Sequence, residues 1–319
     1  MSSFGGIEIS RGIAGVGVSG ISTTSLRFRT TYDMEYAGQA AAVGLSGLGD
    51  LPTFYIDRRR SSDGIWTVEC LDRTAFLDVP IDTDGWAKSG GRYSTSAVAA
   101  GLRALGFSSV ALPYTAAYIP CTAVDGKTYQ GLLQEMSEVY TGFFAIGSGD
   151  ALTFTPYGSV TSQDVAVEWS RIDRSGTFTY GRVELSNGTQ TASVGSGAFP
   201  LEISGELVDV QSAGSYQSLT QTVFTGWSVD SCIGTYGQMP YIGGTMTFGS
   251  ETLRITRADG RVVGDRLIIS AGGDIPQYGE INRKGLLQRR LDEMVSTTKR
   301  YGTGMMTTYQ GYTLTDGGA

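Results

Sequence analysis

The chain has 319 residues, with 24 Lys and Arg against 31 Asp and Glu and a formal net charge of -7, a balance that argues against wrapping a polyanion. It contains no histidine, which removes Ser-His and Cys-His nucleophile pairs, imidazole acid-base chemistry, histidine metal ligands and HExxH proteases together. Its 46 glycines against 8 prolines suit short strands and many tight turns and not a disordered chain.

The first elements are strands. Ile7, Ile9 and Ile13, then Leu26, Phe28 and Thr30, alternate with polar residues as in two half-buried strands. The stretch from Ala37 to Gly49, built of Ala, Gly, Ser and a few Val or Leu, is too short to span a membrane and too glycine-rich for a firm helix, so it reads as a loop. Next, TFYIDRR and IWTVECLD flank Ser61, Ser62, Asp63 and Gly64, where Asp-Gly supplies the positive φ of a hairpin turn.

After Ile81 the composition shifts. A turn at Asp84-Gly85 leads to SAVAAGLRALGF, whose Ala97, Val98, Leu102 and Leu105 share a helical face and whose Gly106 stands as the C′ stop, giving a helix near 95 to 105. A second helix is capped by Thr128, carries Leu132, Leu133, Met136, Val139 and Tyr140 at helical spacing, and closes at Gly142. It runs into FFAIGSGDALTFTPYG, a hairpin turning at Ser148 to Asp150. Residues 83–163 thus form a small α+β unit between β-rich segments.

Strand character returns at Phe178, Tyr180, Val183 and Leu185, with a turn at Asn187-Gly188 and a glycine-rich reach to Pro200. Between Gly226 and Gly273, LRITRADGRVVGDRLIIS reads as a hairpin split at Ala258, Asp259 and Gly260. The last helix is expected over residues 281–301, with Leu287, Leu291, Met294 and Val295 on one stripe as candidate core or interface residues, and Arg289, Arg290, Asp292 and Glu293 off it. Gly302 stops it, and MMTTYQGYTL offers a final strand. The fold class expected is β-rich α+β.

No constellation of residues carries chemistry. Gly15, Gly17 and Gly20 match GxGxxG, but strand-like sequence follows where a dinucleotide site needs a helix. Gly126-Lys127-Thr128 imitates the end of a P-loop whose first glycine would fall on Cys121, so Thr128 is read as a helix cap. Asp82 and Asp84 before Gly85 lack the rest of a calcium loop. Asp72 with Asp78 is one carboxylate pair that could serve a glycosidase if the separation were right.

Cys70, Cys121 and Cys232 form no CxxC, and the first two are expected as inert buried thiols. Asn187-Gly188-Thr189 is a formal glycosylation sequon that, without a secretion signal, reads as a turn. MSSFGGIEIS lacks the features of a signal peptide and no run of about 18 apolar residues occurs, so synthesis in the cytoplasm, solubility and no membrane span are expected. No cofactor and no metal are expected. Arg58, Arg59 and Arg60 are the only run of three like charges, read as a solvated turn or a candidate inter-subunit basic cluster.

Three segments together give a resemblance. TFYIDRRRSSDGIWTVECLDRTAFLDVPID, TYQGLLQEMSEVYTGFFAIGSGDALTFTPYG and GTFTYGRVELSNGTQTASVGSGAFPLEISGEL, in this order, resemble the baseplate hub family of phage tails, also found in prophage tails and contractile injection systems. The resemblance implies two tube-like β-barrel domains: residues 1–82 begin the first, 83–163 are an inserted α+β domain, 164–210 return to the first barrel, and 211–319 form the second with its helix. It further implies a homotrimeric ring at the virion tail tip that joins a sixfold tail tube to a threefold spike or fibre and leaves a channel for DNA.

The partners implied are a second and third copy, a tail tube or distal tail protein, a tail spike or fibre and the C-terminus of a tape-measure protein, with no tight nucleic-acid binding. An appended lysozyme or peptidase domain, present in several family members, is absent, so no enzymatic activity is expected. Other readings stay open: a distal ring protein or tube terminator, a carbohydrate-binding β protein that uses Trp66, Trp86, Trp169 and Trp227 with the 17 tyrosines, or a carboxylate-pair glycosidase.

Overall fold

The structure, a computed structural model, describes residues 4–14, 20–31, 51–113, 118–156, 161–162, 167–169, 171–197, 200–235, 239–240, 242–263, 266–273, 307–309 and 312–314. The expected loop from Ala37 to Gly49 and the expected helix over 281–301, with Leu287, Leu291, Met294 and Val295, lie outside these residues. The chain divides into two units, Met1–Pro276 and Gln277–Ala319.

The alternating runs at the start form two long antiparallel strands, β1 (Phe4–Ala14) and β2 (Gly20–Thr30). Side chains alternate across a sheet, and here Ile9, Leu26 and Phe28 turn inward and are almost wholly buried. The Asp-Gly hairpin is present: β3 (Tyr55–Ser62) and β4 (Ile65–Leu71) are joined by Asp63 and Gly64, both at positive φ (52° and 75°). That pair of left-handed residues twists the turn in the same sense as the strands it joins. Strand β4 pairs with β2, setting Cys70 opposite Leu26, and β1 sets Ile9 opposite Leu26.

The next segment contains β5 (Lys88–Ser89), β6 (Arg92–Ser94), α1 (Thr95–Ala104), β7 (Ser109–Ala111), β8 (Tyr118–Pro120), α2 (Tyr129–Val139), β9 (Gly142–Ile146) and β10 (Ala151–Pro156). Helix α1 starts at a Ser94 cap and ends against Gly106 at φ 94°. The Thr128 hydroxyl caps α2 by accepting from the Gly131 amide at 3.1 Å. The residue that closes α2, however, is not Gly142. Thr141 takes the left-handed position (φ 53°), and Gly142 opens β9, where a Cβ would come within 2.4 Å of the Phe154 ring and the Thr155 carbonyl. Close approach, not turn geometry, is what this glycine provides.

Short strands β11 (Thr161–Ser162), β12 (Val167–Trp169) and β13 (Asp173–Phe178) follow, then β14 (Arg182–Ser186), β15 (Thr191–Gly195) and β16 (Pro200–Ser204), which make a small sheet of their own. The Asn187-Gly188 turn joins β14 to β15, with Asn187 Oδ1 accepting from the amides of Thr189 (3.1 Å) and Gln190 (2.8 Å). Tight 3-10 turns over Val210–Gln221 then bring the Tyr216 hydroxyl to donate to the Val139 carbonyl at 2.8 Å.

The remaining strands of the first unit are β17 (Phe224–Thr235), β18 (Gly244–Phe248), β19 (Glu251–Arg254), β20 (Arg257–Val263) and β21 (Arg266–Gly273). The hairpin expected to split at Ala258, Asp259 and Gly260 is displaced: β20 runs straight through these residues, and Val263 faces Arg266 at its far end. Ala258 and Gly260 belong to the inward face, where Gly260 lies opposite both Ile9 and Ile269. A Cβ there would meet Met239 Sδ at 2.7 Å, so the glycine makes room for a core methionine and not for a turn.

Among the described residues, β12, β17, β21, β20, β1, β2, β9, β10 and β7 pair in that order, with β13 on β17, and β4 on β2 carrying β3, as one twelve-stranded sheet. Strand β9 joins β2 in parallel, Phe143 beside Gly20. The described residues are therefore β-rich, with few helices and mixed sheets. In the second unit, β22 (Thr307–Tyr309) and β23 (Tyr312–Leu314) pair antiparallel. No described helix is long and apolar enough to cross a membrane.

Candidate functional site

The outward face of the β3, β4, β2, β1 and β20 strands carries a row of alternating charge. Register sets Arg58 opposite Glu69, Glu69 opposite Arg27, Arg27 opposite Glu8 and Glu8 opposite Arg261. Arg27 lies 3.7 Å from Glu8 and 4.0 Å from Glu69. All but Glu69 are exposed and Glu69 is half-buried, so each pair contributes little to stability and the row acts mainly as a charged surface. One rung further on, Arg60 and Arg29 flank Thr67.

The three consecutive arginines do not share one face of the sheet. Strand alternation sends Arg58 and Arg60 to the outward face, whereas Arg59 stands opposite the buried Val68 with its guanidinium 5.1 Å from the centre of the Trp66 ring. That contact is a cation-π pair. Arg58 itself also lies 3.3 Å from Asp57.

Nearby, a buried polar junction ties the β3–β4 hairpin to the helical segment. Arg73 Nε donates to Asp150 Oδ2 at 2.9 Å and its Nη1 to the Leu105 carbonyl at 2.9 Å. The Tyr55 hydroxyl accepts from Arg73 Nη2 and donates to Asp150 Oδ2 at 2.6 Å. Its guanidinium stacks on Tyr55 and Phe76, with centroid distances of 4.7 and 5.6 Å. Burial first, then the bond to Asp150, pushes the Tyr55 hydroxyl up to about 12. Every group has its partner, so the junction is built to hold elements together and not to exchange protons. Sequence reading passed over Arg73 and Asp150 because they lie 77 positions apart.

No protein-family model matches the chain, and no curated protein matches its sequence. Solved structures do match. Prophage tail protein gp18 from Listeria monocytogenes EGD-e is 11% identical, covering 92% of this chain and 93% of that one, with a TM-score of 0.51. The tail protein from Neisseria meningitidis MC58 is 10% identical, covering 86% and 96%, also at 0.51. The chain has the fold of prophage tail proteins. The 43 kDa tail protein of prophage MuSo2 from Shewanella oneidensis is 16% identical over 85% of this chain and 93% of that chain, at 0.46.

Within this tail-protein fold the residues weighed for chemistry have structural positions. The Asp72 carboxylate accepts from the Thr24 amide at 2.6 Å, the Thr74 amide at 2.9 Å and the Thr74 hydroxyl, and is wholly buried, while Asp78 is exposed. Asp72 thus caps the 3-10 turn over Arg73–Phe76 and clamps it to β2, which commits both oxygens. Lys127 of the Gly-Lys-Thr stretch pairs with Glu135 on α2, mostly out of solvent. Asp84 donates its amide to Asp82 Oδ1 at 2.9 Å, and Gly85 follows at φ 79°, an Asp-Gly turn. Strand β2, and no helix, follows Gly20; Gly15 and Gly17 lie outside the described residues.

Cys70 is buried, which pushes its thiol up to about 12, whereas Cys121 is only half-buried. Of the tryptophans, Trp227 is buried with its Nε1 donating to the Arg254 carbonyl at 2.7 Å, and Trp86 meets Tyr93 edge-on at 5.3 Å. Trp66 is half-buried beneath Arg59. The side chain of Trp169 lies outside the described residues.

Proposed function

We propose that the chain is the hub of a phage or phage-derived tail tip, a structural protein that works through symmetric interfaces and not through catalysis. The observation that carries this reading is a fold shared with prophage tail proteins over 92% of this chain and 93% of the Listeria chain. The resemblance of the three segments supports it independently. In this reading three copies close a ring, each contributing two tube-like barrels, with residues 83–163 inserted into the first and 211–319 making the second. The ring joins a sixfold tail tube or distal tail protein to a threefold spike or fibre, contacts the tape-measure C-terminus, and leaves a channel for DNA at the virion tail tip.

The test is the mass in solution, by light scattering with negative-stain images of the same sample. Three chains of 33.8 kDa predict a ring of about 100 kDa with a central hole. A monomer that stays monomeric when mixed with tail tube and spike proteins overturns the hub reading.

The stripe of Leu287, Leu291, Met294 and Val295 is assigned to the core of the last domain or to a subunit seam. Leu287→Asp or Leu291→Asp is then expected to lower stability by about 2–4 kcal/mol or to block assembly, since the charge must be buried unpaired. Wild-type melting together with wild-type ring formation in both variants would remove the stripe from core and seam alike.

A further inference from the structure

The outward sheet face is basic on an acidic chain. Arg27, Arg29, Arg58, Arg60, Arg257 and Arg261 are exposed there with Glu8 and Asp259, and Glu69 is half-buried. In the Arg27 rung the acids offset part of this charge. The Arg29–Thr67–Arg60 rung has no such offset: among the described residues no carboxylate lies within ion-pair distance of Arg29 or Arg60. Two guanidinium groups are therefore presented to solvent, each able to bind a carboxylate in bidentate fashion.

The complementary surface is on the same chain. Asp82 and Asp84 are exposed in their turn, and the exposed Asp125 is tied to that turn by the Thr83 hydroxyl, which donates to Asp125 Oδ1 at 3.3 Å. Lys88, 3.8 Å from Asp125, offsets one charge of the three.

We propose that the basic face of one copy receives the Asp82–Asp84–Asp125 corner of a second copy. This inference rests on the reading of the chain as ring-forming. Each copy then uses both surfaces, a head-to-tail arrangement that repeats around an axis and closes when the rotation allows. The face selects a protein surface over a polyanion strand, because Glu8 and Glu69 would repel an evenly charged backbone, whereas discrete carboxylates can meet Arg29 and Arg60 and skirt the acids beside Arg58. The charged side chains of β3, which among the described residues pairs only with β4, also discourage pairing with apolar strands of unrelated chains. Since the charges are exposed, the contact sets orientation and partner choice, and weakens as salt rises.

The experiment compares four full-length proteins by sedimentation at low and moderate salt: wild type, Arg58→Glu with Arg60→Glu, Asp82→Arg with Asp84→Arg, and the fourfold variant. Each double reversal is expected to weaken association at least about tenfold. The fourfold variant is expected to regain it, because every copy again presents one acidic and one basic surface. Melting temperatures within about 3 °C of wild type are expected, as all four sites are exposed; Arg58→Gln with Arg60→Gln, which deletes charge without reversing it, should weaken association less than reversal does. Double variants that assemble like wild type, or a fourfold variant no better than the doubles, overturn the contact while leaving the ring intact as a reading. Wild type that never self-associates overturns the ring and the contact together. Binding of a single-stranded oligonucleotide that the arginine reversal abolishes, with assembly unchanged, assigns the face to a polyanion and also overturns the proposal.

Discussion

Replacing Arg73 with alanine is expected to destabilise the fold by about 3–5 kcal/mol, measured by urea or thermal unfolding, because it leaves the Asp150 charge buried without its partner. The side chains of Arg73 and Asp150 are only 17% and 8% exposed, so solvent cannot replace the lost bonds. The loss also reaches beyond the ion pair. Arg73 caps the end of α1 through the Leu105 carbonyl and fills the space over Tyr55 and Phe76, so its removal opens a gap between the β3–β4 hairpin and the helical segment. Gly106 shows how closely that space is filled, since a Cβ there would lie 2.3 Å from Arg73 Nη1.

Two comparisons separate these contributions. Tyr55→Phe deletes only the hydroxyl between the two charges and should cost about 1–2 kcal/mol. Asp150→Asn keeps a residue that tolerates the left-handed backbone at this position (φ 62°). Combined with Arg73→Ala it should be less damaging than the two single losses added together, because no orphan charge remains. A loss below about 1 kcal/mol for Arg73→Ala would instead mean that the pair is screened as a surface bridge is.

Much of this architecture is legible in the sequence because its signals are local. The Asp63-Gly64 and Asn187-Gly188 turns, the cap at Thr128 and the alternation of β1 and β2 each follow from residues within one turn or one strand. The alternation of Leu26, Arg27, Phe28 and Arg29 even supplies two arginines of the charged face, but which acid stands beside which arginine depends on register between strands. The same local logic misplaces the β20 hairpin. Ala-Asp-Gly is a turn word, yet here the two small residues are needed at the crowded inward row beside Met239. The closing residue of α2 is misread for a related reason: glycine is the common left-handed residue, but Thr141 occupies that position while Gly142 yields space to Phe154. The Arg73–Asp150–Tyr55 junction has no local signal at all, as Tyr55 and Asp150 are 95 positions apart.

Asp72 gives the second large effect, a dependence of stability on pH. Burial outweighs the donated hydrogen bonds from Thr74 and Thr24 and raises its carboxyl from the ordinary 3.8 to about 6. A folded-state value above the unfolded one means that the native chain holds this proton more tightly. Between about pH 4 and pH 6 the native state therefore carries more protons at this site than the unfolded state, and stability from this group falls as pH rises. The contribution is fully present below the unfolded value and is lost as pH passes through the folded one. A shift of this size corresponds to about 3 kcal/mol across the window. Other carboxylates titrate there too, so the quantity to measure is the difference between wild type and Asp72→Asn in unfolding free energy at several pH values. Asparagine places an amide where one oxygen accepts from a backbone N–H, so the variant is less stable throughout. Its deficit should shrink as pH rises from 4 to about 6.5, because only the wild type loses the proton-linked contribution. Parallel profiles for the two proteins would show that Asp72 titrates in the native state as it does in the unfolded chain, and that the clamp between β2 and the Arg73–Phe76 turn holds an ordinary carboxylate.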